Sequence, residues 1–148
     1  AFWRLPAFVR AWCMPVWCML GISRLAVLMV PFGRLSAVLG KGAGLAPWIP
    51  ILSDKQRLRA LYIGRTVRTM ARFTPWDSNC FAQAITARLL LGLYGVPYAL
   101  YFGLMRDAGS KGMKAHAWVV AGPVRVTGGA SFEKYTVVAM YVCPRLAP

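Results

Sequence analysis

Between Gly92 and Pro97 the chain changes character, and that change limits the folds open to it. Upstream, apolar residues recur at helical spacing; downstream, short apolar runs are separated by glycine-bearing turns. Gly92, Gly95 and Pro97 end the last helical segment, since glycine lowers helix propensity and proline lacks the amide donor. Helices followed by a meander of strands predict an α+β architecture: N-terminal helices, one central helix, then an antiparallel β-sheet. A chain of 148 residues holds one domain with a real core and is too short for two ordinary ones. That domain spans 1–148, with a helical part over 1–40, helices within 54–93 and the sheet within 97–142.

The first 40 residues are apolar and cut by Arg4, Arg10, Arg24 and Arg34. The longest uncharged run, 11–23, contains Pro15 and Gly21 and falls short of the ~20 residues needed to cross a bilayer. It also lacks the cleavage pattern of a signal peptide. Two helices are predicted, over 7–18 and 22–30, with Pro31 ending the second and a short helix reaching residue 39. They read as a core-packing layer or, alternatively, as an interfacial amphipathic anchor with snorkelling arginines. Residues 41–50, rich in Gly and Pro, read as a loop. Ser53 or Asp54 then caps a helix running to about residue 72, with Leu58, Leu61, Tyr62, Val67 and Met70 on one face. Lys55, Arg57, Arg59, Arg65, Arg68 and Arg72 form a solvated basic remainder that can also attract an acidic ligand.

The hydrophobic fraction is 58%, above the ~45–50% of an ordinary soluble domain. The excess implies buried elements, a partner surface or membrane contact. Eighteen basic against four acidic residues give +14, which favours an acidic partner. The aromatic residues lie in apolar strands and not among the basic ones, so nucleic acid is not expected. Cys13, Cys18, Cys80 and Cys143 show no C-x-x-C spacing, and one histidine leaves no sensible zinc set. No metal or cofactor is expected, and no regular cysteine framework argues for an oxidising compartment; a reducing cytoplasm is indicated.

The chemistry centres on Thr74-Pro75-Trp76-Asp77-Ser78-Asn79-Cys80-Phe81-Ala82-Gln83-Ala84. Pro75 keeps its predecessor out of the helix, and Asp77 or Ser78 can serve as N-cap. Cys80 then falls in the first helical turn, where the positive end of the helix dipole favours thiolate. The lone histidine, His116, lies in a predicted strand over 114–120. Other strands are predicted over 98–104, 124–127 and 135–142, with a loop at 106–112 and a tight connection at Gly122-Pro123. A cysteine at a helix start with a histidine on a later strand suggests a Cys-His nucleophilic pair. The backbone N–H of Cys80 would face a developing oxyanion, with Asn79, Ser78 or Gln83 as side-chain candidates.

Pro75-Trp76-x-Ser78-x-Cys80-Phe81-x-Gln83-Ala84, then Tyr101-Phe102-Gly103 and Ala115-His116-Ala117-Trp118-Val119, resemble the lasso-peptide biosynthesis B protein family, in its transglutaminase-like leader-peptidase part. Pro31-Phe32-x-Arg34-Leu35, Val126-Thr127-Gly128-Gly129 and Tyr135-Thr136-Val137-Val138-Ala139 extend the likeness over nearly the whole chain. The resemblance implies a papain/transglutaminase-like fold and a cysteine protease that cleaves the leader from a ribosomally made (RiPP) precursor peptide. Cys80 would be the nucleophile and His116 the general base and acid. The family's third member, an Asp soon after the His, has no counterpart in 125–129. Thr127, a backbone carbonyl, Glu133, a water or a distant Asp would have to orient the imidazole. Implied partners are the precursor, a separate RiPP recognition element protein and a lasso cyclase (the C protein), in the cytoplasm or at a membrane-bound cyclase and transporter assembly. A separate leader-binding protein is expected because the helical part begins near residue 5. The alternatives are an acyl transferase or transglutaminase-type enzyme, and a non-enzymatic basic membrane- or partner-binding module.

Overall fold

A computed structural model describes residues 2–31, 33–35, 41–42, 51–76, 79–106, 109, 112–129 and 134–143. After a short 3-10 turn at Phe2–Arg4, helix α1 runs unbroken over Ala7–Met29, where two helices were expected. Neither Pro15 nor Gly21 divides it. Val9, Val16, Leu20 and Ser23 are buried along one side, and this packing outweighs the local cost of the breakers. Gly21 has a tertiary role: an added Cβ would meet the Trp76 ring at 3.0 Å, and Trp76 also packs on Trp17 with centroids 4.7 Å apart. Residues 33–35 are helical, and residues 36–39 of the expected short helix lie outside the described residues.

Helix α2, Asp54–Ala71, starts at a complete capping box between Ser53 and Gln56. Its inward face differs from the expected one. Ala60, Ile63, Gly64, Thr66 and Val67 are buried, whereas Leu58 and Leu61 are exposed. Small residues let the helix come close: a Cβ on Gly64 would lie 2.8 Å from the Val126 carbonyl oxygen. The basic remainder is also only partly solvated. Arg59 lies over Phe8 and Tyr94, at 5.1 and 4.4 Å from their centroids, and Arg68 Nη1 donates to the Val126 carbonyl at 2.6 Å. Partial burial and then the Arg72 charge hold the Arg68 guanidinium below its ordinary pKa.

Helix α3, Cys80–Leu93, is lined with Ala82, Ala84, Ile85, Ala87, Leu90 and Leu91, all buried. Fully burying each leucine or isoleucine contributes about 1.5–3 kcal/mol. Strand β1, Lys41–Gly42, falls in the segment expected to be a loop; residues 43–50 lie outside the described residues. The others are β2 (Ala99–Arg106), β3 (Met113–Ala121), β4 (Val124–Thr127) and β5 (Thr136–Val142). Every pairing is antiparallel, in the order β1-β5-β2-β3-β4. The fold is therefore α+β, with helices followed by an antiparallel sheet.

Helices α2 and α3 pack on one face of the sheet, and α1 packs on those two helices. Leu100, Ala117, Val119, Ala121 and Val126 share a core with Leu20, Ile63, Val67, Ile85 and Leu90. The other face holds a smaller cluster of Ala99, Met140 and Val142, against which Tyr101 and Val120 pack.

Candidate active site

Cys80 is the first residue of α3, and Asn79 is its N-cap. The Asn79 side chain accepts from Ala82 N at 3.0 Å, and the Asn79 carbonyl accepts from Gln83 N at 3.0 Å. Capping therefore falls to Asn79; Asp77 and Ser78, the expected caps, lie outside the described residues. The N–H of Cys80 belongs to the first turn, whose amides have no intrahelical acceptor, so it remains a natural oxyanion donor. The oxygen of Asn79 is committed to the cap, leaving its amide nitrogen for any such role. Gln83 follows one turn along the same side of α3 as Cys80. The Cys80 side chain is half-buried and packs on the helix-side core. Cys13, Cys18 and Cys143 are also unpaired, and burial pushes the Cys13 thiol up, which disfavours it as a nucleophile.

His116 sits within β3, opposite Gly103 of β2. Its Nε2 lies 2.8 Å from the Gly128 carbonyl oxygen. A carbonyl only accepts, so Nε2 carries the proton in this bond and the neutral ring keeps its lone pair on Nδ1. The ring stacks on Tyr135 at 4.9 Å and on Trp118 at 5.7 Å, and Trp118 stacks in turn on Tyr101 at 5.6 Å. Glycines make room for this aromatic platform. A Cβ on Gly103 would meet Tyr135 Cβ at 2.6 Å and Trp118 Cη2 at 2.9 Å. Gly128, at φ +99°, holds a backbone conformation that side chains rarely adopt, and a Cβ there would lie 2.9 Å from Trp118 Cα.

Of the two candidate third residues, Thr127 and Glu133, only Thr127 is among the described residues. Thr127 pairs with Val119 and not with His116, because the β3–β4 register shifts between Val119 and Val120. Thr127 is buried, and among the described residues its hydroxyl has no hydrogen-bond partner. The imidazole partner that the structure does provide, the Gly128 carbonyl, was legible as one option in the turn sequence. Tyr135 was not, since an aromatic residue at a strand start is common.

Helix α3 packs on β3, so the elements carrying Cys80 and His116 are in contact. Ala117 and Val119 face the helices, and by strand alternation His116 and Trp118 face the other way. No hydrogen bond between the Cys80 thiol and the His116 ring is present among the described residues. Nor do these residues include a group of three or more His, Cys, Asp or Glu side chains that could hold a metal ion.

No curated protein and no solved structure matches the chain. A family model described as the transglutaminase-like superfamily matches residues 26–140. That span runs from the last turn of α1 through Cys80 and His116 into β5. The superfamily includes cysteine peptidases and transglutaminases and commonly uses cysteine-dependent catalysis. By a match over well more than half of its length, the chain belongs to the transglutaminase-like superfamily.

Proposed function

We propose that the protein is a cysteine peptidase that removes the leader from a ribosomally made lasso precursor peptide. The observation that carries this reading is the 2.8 Å contact from His116 Nε2 to the Gly128 carbonyl. It orients the ring and leaves Nδ1 as the atom able to take a proton. Cys80 Sγ attacks the scissile carbonyl, and its proton passes to His116 Nδ1. The imidazolium returns that proton to the leaving amine, which is the new N-terminus of the core peptide. Water then hydrolyses the thioester and releases the leader acid. The Cys80 N–H supports the oxyanion in both steps.

With Cys80 on the helix side of the sheet and His116 on its other face, this mechanism requires β3 to rearrange when precursor binds so that imidazole and thiol meet. That is a larger change than the tightening of long hydrogen bonds usual in substrate-free enzymes. A carbonyl steadies the imidazolium less than a carboxylate does, a cost that a thiol nucleophile tolerates better than a hydroxyl because it ionises more easily. A separate RiPP recognition element would deliver the leader, and an ATP-dependent lasso cyclase would join the freed amine to an Asp or Glu side chain.

Co-expression of the chain with a leader-binding partner and a precursor, read by intact mass, tests this. Free leader and free core are expected, and Cys80→Ala should abolish both. Leader release by Cys80→Ala at the wild-type rate would remove the thiol from the mechanism. An isopeptide or acyl adduct in place of hydrolysed peptide would move the assignment to acyl transfer.

A further inference from the structure

Helix α1 is apolar on both of its faces. Val9, Val16, Leu20 and Ser23 turn into the core. On the opposite side Met14, Ile22, Leu25 and Met29 are 68%, 66%, 57% and 78% exposed, and Cys18 between them is exposed as well. Their spacing places them in one stripe, which Ala7, Ala11 and Pro15 complete. A depression of about 630 Å³ beside it, lined by Trp17, Ile22, Leu28 and Trp76 among others, widens the apolar area. Isolated exposed apolar side chains are ordinary on a protein surface, but a contiguous stripe marks a contact.

Among the described residues, the charges bordering the stripe are basic. Arg10 and Arg24 border it with half-buried side chains, and Arg10 lies over the ring of Trp3, 5.7 Å from its centroid; Trp3 is itself 80% exposed. Residues 1–53 contain Arg4, Arg10, Arg24, Arg34 and Lys41 and no Asp or Glu. An apolar ridge edged by arginines, with an exposed tryptophan near one end, complements an anionic bilayer surface.

By length and composition alone α1 is long and apolar enough to cross a membrane. Its inner side is, however, committed to the domain. Trp12 Nε1 donates to Tyr94 Oη at 2.7 Å, and Ser23 bonds Thr86 at 3.1 Å. Crossing would break these contacts or draw the basic α2 into hydrocarbon. We propose that α1 instead lies in the plane of an anionic membrane surface, its exposed stripe at the acyl boundary and its arginines among lipid phosphates.

Sedimentation of the full chain with phosphatidylcholine vesicles, with and without phosphatidylglycerol, tests this. Binding to the anionic vesicles should be at least about tenfold tighter than to the neutral ones and should weaken with salt. Ile22→Asp with Leu25→Asp should reduce it at least about tenfold with an unchanged circular dichroism spectrum; Met29→Asp, at the helix end, reads the same loss if the double variant does not fold. Alkaline carbonate should release the bound protein. Equal binding by variant and wild type, or no preference for anionic lipid, would overturn the proposal. So would retention after carbonate, the mark of a spanning helix. Self-association in lipid-free solution that the double variant abolishes, without loss of vesicle binding, would reassign the stripe to a protein interface.

Discussion

Cys80 and His116 are positioned by opposite means. Cys80 is set by five consecutive residues, 79–83: Asn79 caps α3 through its side chain and its carbonyl, and the cysteine follows at the first helical position. His116 is set by groups distant in sequence: the Gly128 carbonyl, the Tyr135 ring, and space left by Gly103 and Gly128 for Trp118. A locally defined position tolerates change elsewhere in the fold. A position defined by a packed platform fails when any wall of it moves.

That contrast can be broken first at His116. His116→Ala should lower peptide cleavage by about 10²–10⁴-fold, the usual worth of a positioned acid–base group; cleavage within threefold of wild type would remove the ring from the chemistry. Next is Gly128→Ala. The positive φ and the approach to Trp118 Cα should together cost about 2–4 kcal/mol, read as a Tm fall of several degrees, with loss of cleavage. If Tm and cleavage both hold, the carbonyl does not steady the imidazole. Asn79→Ala should cost about 1 kcal/mol and leave the platform intact, so its Tm loss should be clearly smaller than that of Gly128→Ala.

The two faces of the sheet offer a last comparison. Tyr98, on the helix side, has its phenol pushed up to about 12, chiefly by burial and against the opposing pull of Arg88. Burial also raises Tyr101 on the far side. Each folded pKa exceeds the unfolded value of about 10, so the stabilisation is complete below pH 10 and is lost as pH rises through the folded pKa. Denaturant titrations should therefore show stability falling from pH 10 towards 12, and Tyr98→Phe should flatten that fall more than Tyr101→Phe.

Much of the architecture was legible because it is written in short-range patterns. The Ser53 cap, the helix beginning at Cys80 and the strands ahead of Gly122-Pro123 and Gly128 all follow from periodicity and turn chemistry. Other features were illegible for identifiable reasons. Pro15 and Gly21 argued for two helices, yet one runs through, because breaker residues act locally while burial acts along a whole face. Leu58 and Leu61 looked like the inward side of α2, yet Ala60 and Gly64 occupy it, because the closeness of β4 selects small residues over large ones.

At the candidate site the division is equally physical. The sequence by itself determined that Cys80 starts a helix and that no carboxylate follows His116 on β4, since capping and composition need no knowledge of the rest of the chain. Only the tertiary structure decided which group meets the imidazole. The register shift between Val119 and Val120 withdraws Thr127 to a position opposite Val119 and leaves the Gly128 carbonyl at Nε2. Strand pattern names the residues near a turn, but a one-residue shift in pairing decides which of them reaches the ring.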